Sequence, residues 1–262
     1  MIEVTKNFKK SIGLLETIEE RLELLKDKYK DETLYIVSCG PSLKDHNVEE
    51  LKSKLKNKLV FTIKQAYSVL NDIVDFHLLN TYNLSNYDWD KNSIVFWSVS
   101  KSYANEQLQR IVDMKAPIDL YVPVINPPFV NYSQTVQATN NFDEFYRLGK
   151  HTEVMFGIGM MYELGLPLAL HLGVKDIVTI GWDLGDPNTS TSDWNHFYNN
   201  EIGRVASINK TTRPASGEIA QKLASTEKLY DWLKDKGINL SIISDKSYVS
   251  KKFDRIKLSD ID

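Results

Sequence analysis

A mostly parallel, Rossmann-like α/β sheet with helices on both faces is the fold class this sequence predicts. Short apolar runs recur along the chain, and several are apolar at every position, as strands buried on both faces must be. Stretches with helical spacing stand between them, and that alternation builds parallel sheets. Neither an internal repeat nor a low-complexity linker interrupts the 262 residues, so one domain is the simplest partition.

Residues 8–30 carry Ile12, Leu14, Leu15, Ile18, Leu22, Leu24 and Leu25 among charges. That spacing predicts an amphipathic helix over the N-terminal thirty residues, packed on the domain of residues 31–262 or on a partner. "TLYIVSCG" (33–40) reads as the first buried strand, stopped by Gly-Pro. "DHNVEELKSKLKN" (45–57) opens on cap candidates and continues with helical spacing. "LVFTIK" (59–64), "DFHLLN" (75–80), "SIVFWSVS" (93–100) and "IDLYVPV" (118–124) read as the next four strands, with a short helix at "QAYSVLND". Residues 125–150 show no period and read as a long loop or lid. "GIGMMYELGLPLALHLG" (157–173) is an apolar helix between glycines, and "DIVTIGWDLG" (176–185) a strong buried strand. Residues 184–215 are polar and aromatic and form a second lid candidate. "GEIAQKLASTEKLYDWLKDKG" (217–237) is an amphipathic helix with a glycine stop, followed by the strand "NLSIIS" (239–244).

Composition narrows the function. Apolar residues are 42% and charged residues 26%, an ordinary globular balance. A formal net charge of -3 argues against a nucleic-acid binder. Cys39 stands alone, so neither an internal disulfide nor a cysteine metal cluster is available. The N-terminus lacks the apolar core of a secretory signal, and no run reaches the length of a membrane span, so a cytoplasmic location is the expectation.

Open parallel sheets bind ligands beyond the carboxyl ends of their strands. Gly40, Pro41 and Ser42 follow the first strand there, Lys64 and Gln65 the second, and Asn80 the third. Trp182 and Asp183 close the late strand, and Gly157 and Gly159 open the apolar helix. Gly40 permits close backbone approach and Ser42 adds a hydroxyl, which suits an anionic or ribose-bearing group. The competing reading of these glycines is a plain tight turn. Neither a Walker A loop nor G-x-G-x-x-G is present. The first amides of the helix after Gly159 favour a phosphate. Asp183 is placed to be oriented in a cleft, or to cap a turn. His196, in a polar loop, can reach a substrate and titrate near neutrality, or be merely solvated. His171 inside "LALHLG" reads as a core histidine. Asp88 and Asp90 in "YDWDK" are either a divalent-metal pair or a turn.

The order of "VSCGPSLKD" (37–45), "FTIKQAY" (61–67), "DFHLLN" (75–80) and "GIGMMYELGLPLALHLGVKDIVTIGWDLGD" (157–186) resembles the bacterial CMP-sialic acid-dependent sialyltransferases. It is equally similar to the central domain of the flagellin-modifying motility accessory factors and to the archaeal pterin diphosphokinase-like proteins. The resemblance runs from residue 34 to residue 245. It implies a GT-A-like domain with a lid, transferring a 2-keto acid sugar from a CMP donor to a glycan or glycolipid acceptor. It implies that Gly40, Pro41, Ser42, Lys64, Gln65, Asn80, Gly157, Gly159 and Trp182 hold the donor, and that Asp183 and His196 act on the sugar. Lys64 departs from the asparagine those enzymes carry. No histidine stands near residues 216–220, where their base lies, and His196 is the nearest substitute. No cofactor and no metal are expected with a CMP leaving group. Association with a membrane surface or a second copy stays open. The alternatives are an ATP- and Mg²⁺-dependent diphosphokinase, with Asp88 and Asp90 or Asp183 and Asp186 on the metal, and a non-catalytic nucleotide-binding module.

Overall fold

The computed structural model of the chain describes residues 2–80, 87–89, 92–100, 104–125, 134, 136–137, 140–146, 148, 154–155, 159–184, 197 and 216–262. Among the described residues nine strands form one sheet: β1 (Thr33–Val37), β2 (Leu59–Ile63), β3 (Phe76–Asn80), β4 (Ile94–Ser100), β5 (Leu120–Ile125), β6 (Val154–Met155), β7 (Asp176–Ile180), β8 (Asn239–Ile243) and β9 (Asp254–Arg255). The order is β6-β5-β4-β3-β2-β1-β7-β8-β9, and every adjacent pair is parallel. The chain winds outward from β1 to β6, then returns to the other side of β1 with β7. The order therefore reverses between β1 and β7, the kind of place where such sheets open a crevice.

Side chains alternate between two cores because successive residues of a strand face opposite sides. Leu34, Ile36, Phe61, Phe76, Leu78 and Phe96 enter one core. Tyr35, Val37, Val60, Leu79, Val95 and Trp97 enter the other. The helices are α1 (Ile2–Ile12), α2 (Ile18–Leu25), α3 (Val48–Leu55), α4 (Tyr67–Leu70), α5 (Ala104–Asp113), α6 (Phe142–Phe145), α7 (Leu166–His171) and α8 (Ser216–Asp235). On the first face α1, α2, α7 and α8 contribute Ile12, Leu25, Leu168 and Leu229. On the second, α3, α4 and α5 contribute Leu51, Leu55, Tyr67, Leu70 and Ile111.

The N-terminal segment departs from the sequence reading. It is two helices rather than one, broken at residues 13–17, and Leu14 in the break is 84% exposed. A capping box starts the second helix. Thr17 Oγ1 accepts from Glu20 N at 3.3 Å, and the Glu20 carboxylate accepts from Thr17 N at 3.0 Å. These bonds satisfy donors that a continuous helix would have used internally. One further departure is a short element. Residues 125–150 contain α6, whose Phe142 joins the first core. The helix read within 45–57 starts at Val48 behind one of its cap candidates, Asn47, whose Oδ1 accepts from both Glu49 N and Glu50 N.

Helix α1 closes the amino end of the sheet, opposite the strand ends that carry the site. Lys9 pairs with Asp119 at 3.0 Å. Asp75, just before β3, accepts from Val60 N at 3.0 Å and from Thr5 Oγ1 at 2.5 Å. Burial pushes the Asp75 carboxyl up to about 6, and these hydrogen bonds only partly oppose it. His171 is a core residue as expected, its ring nitrogens 2.9 Å from Leu148 O and 2.7 Å from Leu22 O. Among the described residues no helix is long and apolar enough to cross a membrane.

The Asp75 shift gives a testable pH dependence. Its folded value of about 6 lies above the ~3.9 of an unfolded aspartate, so its contribution is fully present below about pH 4 and is lost as pH rises through 6. Buried His77, held down to about 3, works in the opposite sense and is common to both proteins compared. Urea unfolding of the parent and Asp75→Asn should show the parent's relative stability falling between pH 4 and pH 7.5. The fall should be on the order of 3 kcal/mol at most. A constant difference across that range would contradict the assignment.

Candidate functional site

The site is built where β1 and β7 end. Their pairing continues past the strands, with Ser38 N donating to Ile180 O and Gly40 N to Gly181 O, each at 2.7 Å. Both glycines are required by this approach. A Cβ on Gly40 would stand 2.4 Å from Gly181 O and from Asp183 Oδ2. Gly181 has φ +71, and a Cβ there would stand 2.6 Å from Ser38 O. Pro41 then starts a 3₁₀ turn, Pro41–Asp45, where its fixed φ fits and its missing N–H costs nothing.

Asp183 spans the junction. Its Oδ2 accepts from Ser42 N at 2.8 Å and its Oδ1 from Ser42 Oγ at 2.7 Å. Burial pushes its carboxyl up, the Ser42 bonds oppose that, and the Ser244 hydroxyl adds a further bond. Asp183 O accepts from Tyr248 N at 3.0 Å, and Asp45 pairs with Lys246 at 2.8 Å. The loop after β8 is thereby fastened to the same turn. The close approach that Gly40 permits is thus to Asp183 and Gly181. The amide and hydroxyl of Ser42 both donate to the same carboxylate.

Lys64 follows β2 with φ +49, a left-handed conformation that costs a side-chain-bearing residue roughly 1–2 kcal/mol. Buried His77 supports it. His77 Nε2–H donates to Lys64 O at 3.1 Å, and the ring stacks on Tyr67 at 4.0 Å with an interplanar angle of 1°. Burial drives this imidazole down to about 3, so it is neutral and holds its proton on Nε2. Its buried Nδ1 has no hydrogen-bond partner among the described residues. The Lys64 charge acts on both the Cys39 thiol and the Glu163 carboxyl. Gln65 is buried, with Oε1 4.0 Å from Cys39 Sγ. Burial pushes the Cys39 thiol up to about 12, which leaves it unreactive.

Glu163 is the residue that the sequence reading missed. It lies in a π-helical turn, Met161–Gly165, that leads into α7, and it is 2% exposed. Ser98 Oγ donates to Glu163 Oε1 in a very short contact, and the Asn80 side chain also bonds the carboxyl. Burial pushes Glu163 up, while Ser98, Lys64 and Asn80 pull it down. Side chains from β3 and β4, and the charge of the residue after β2, therefore act on one carboxyl group.

The remaining expected residues are dispersed. Gly159 starts the helical turn with φ +122, and a Cβ there would meet nothing within 4 Å, so backbone conformation rather than space selects glycine. Gly157 lies outside the described residues. Trp182 is packed in the first core, edge-on to Tyr162 with ring centroids 6.2 Å apart. Asp88 borders a surface hollow with Asn71, Asp72, Trp89 and Asn92, toward the amino ends of β3 and β4. Asp90, Asp186 and His196 lie outside the described residues. Phe197, next to His196, donates its amide to Cys39 O at 2.8 Å and so returns to the end of β1. Among the described residues no group of three His, Cys, Asp or Glu gathers as a metal site.

Comparison with known proteins supplies the family. Residues 6–189 match the model of the MptE-like family, described as 6-hydroxymethylpterin diphosphokinase MptE-like. The chain belongs to that family. No curated protein matches it. Among solved structures, the MAf glycosyltransferase from Magnetospirillum magneticum AMB-1 is 14% identical with a TM-score of 0.46. That likeness covers 95% of this chain and 40% of the other, so this chain spans about two fifths of that protein's length.

The packing of the β1 turn can be probed by Gly40→Ala. The new methyl would meet a backbone carbonyl and a bonded carboxylate, neither of which can yield cheaply. The expected loss is about 2 kcal/mol or more in urea unfolding. Unchanged stability would show that Asp183 does not hold this turn.

Proposed function

We propose that this MptE-like protein is a nucleotide-dependent transferase whose donor lies across the β1/β7 crevice. The group transferred is a 2-keto acid sugar of the sialic acid or Kdo type, carried by CMP to a glycan hydroxyl. The supporting observation is the assembly at the strand ends. A latched Ser42 turn, a strained Lys64 and the polar ends of β3 and β4 converge there. Strain kept at a strand end is commonly tied to function. Lys64 brings positive charge to a site that would receive a phosphate and a sugar carboxylate.

In this reaction the bond from the anomeric carbon to the phosphate oxygen breaks, and its electron pair leaves on CMP. The acceptor hydroxyl forms the new bond and releases its proton to a base. Lys64 offsets the charge developing on the departing phosphate. Asp183 serves as the latch of the turn, because both its oxygens already accept from Ser42. His196 is the proposed base, since its neighbour Phe197 is anchored at Cys39. A monophosphate leaving group of this kind does not call for a metal.

The family description favours a second reading, diphosphate transfer from ATP. Mg²⁺ would then neutralise the phosphates. Asp88 fits that role poorly, since it stands toward the amino ends of the strands.

Thermal unfolding with CMP, with ATP plus Mg²⁺ and with neither separates the readings. A ligand at one hundred times its Kd stabilises by about 2.7 kcal/mol. CMP should raise Tm by several degrees without added metal, and EDTA should leave that rise intact. A rise only with ATP and Mg²⁺ would replace sugar transfer by diphosphate transfer. No rise with either would remove the nucleotide reading.

A further inference from the structure

Glu163 stands out as a buried acid in an otherwise apolar stretch. A buried carboxyl is costly unless it is well partnered, and a leucine would fill the same helical position at no such cost. Three side chains from three consecutive strand ends attend it: Ser98 and Asn80 by hydrogen bonds, and Lys64 by charge. The helix also departs from α geometry here. Tyr162 N and Glu163 N both donate to Gly159 O at 3.0 Å, and the π turn follows. π turns recur at functional positions because they re-aim side chains.

We infer that Glu163 is a positioning residue that aims the Lys64 ammonium and the Asn80 carboxamide at the anionic group of the bound donor. This rests on the nucleotide reading above. Glu163 is itself too buried to touch a ligand, so it acts through its partners. His77 holds the carbonyl of Lys64, and the Glu163 carboxyl attracts its charge. Together they would hold a long, flexible side chain in one direction, so that less freedom is lost when the donor binds.

A double-mutant cycle tests this. The parent, Glu163→Gln, Lys64→Met and the double variant are titrated with CMP by calorimetry, and each is melted without ligand. Glu163→Gln should weaken CMP binding about tenfold, the loss expected for one charge-assisted interaction. Its ligand-free Tm should stay close to the parent's. Lys64→Met should weaken binding at least as much, and the double variant should lose less than the product of the two single losses. Independent, multiplying losses, or an unchanged Kd in Glu163→Gln, would overturn the positioning role. A lowered Tm with an unchanged Kd would show that Glu163 serves packing alone. If Glu163→Gln does not fold, Ser98→Ala takes its place in the cycle under the same criteria. If the parent fails to bind CMP but binds ATP with Mg²⁺, the donor assignment falls, and the same cycle read with ATP decides the role of Glu163. Binding of neither would overturn both.

Discussion

The carboxylate of Asp183 crosses from the end of β7 to the turn after β1 and accepts both hydrogens that Ser42 can give. Much at this end of the sheet depends on that contact. It requires Gly40 and Gly181, because either Cβ would overlap the opposite loop. It places Pro41 at the start of a 3₁₀ turn and draws in the loop after β8 through Tyr248 and Lys246. Two strands on opposite sides of the switch point end as one rigid floor. Removing the partner of such a buried carboxyl leaves its desolvation unmet, so the contact is costly to break even where its net gain is modest.

Beside this floor the fold keeps a second, less relaxed arrangement. Lys64 occupies a left-handed conformation that glycine or asparagine would adopt more easily. It persists because His77, stacked on Tyr67, holds its carbonyl from inside the second core. Glu163 collects the ends of β3 and β4 into the same group. The opposite end of the sheet is closed by α1 through Asp75 and Lys9, so the two ends divide the work. Packing and anchoring lie at the amino ends, and polar groups kept in defined directions lie at the carboxyl ends.

The longer strands were legible in the sequence because each is a run apolar on both faces, bounded by turn residues. β6 and β9 were not, since two residues carry no period and exist as strands only through their neighbours. The break between α1 and α2 had a readable sign, Thr17 followed three residues later by Glu20, but the apolar spacing across 8–30 masked it. Gly40 was legible as a position of close approach, although its partner is a carboxylate 143 residues further on and no local pattern could name it. Glu163 was hidden inside a stretch that reads as a plain apolar helix, and a lone acid among Met, Tyr and Leu was the available signal. His77 was visible only as a strand residue, because its role depends on the backbone of a neighbouring strand.

The proposed function requires a nucleotide over the junction of β1 and β7 with its phosphate toward Lys64. A crystal structure of the protein with CMP tests it most directly. The phosphate should lie within hydrogen-bond distance of Lys64 Nζ, beside the Ser42 turn, with Asp183 still bonded to Ser42. CMP bound elsewhere would contradict it, for instance in the groove between α8 and residues 248–252.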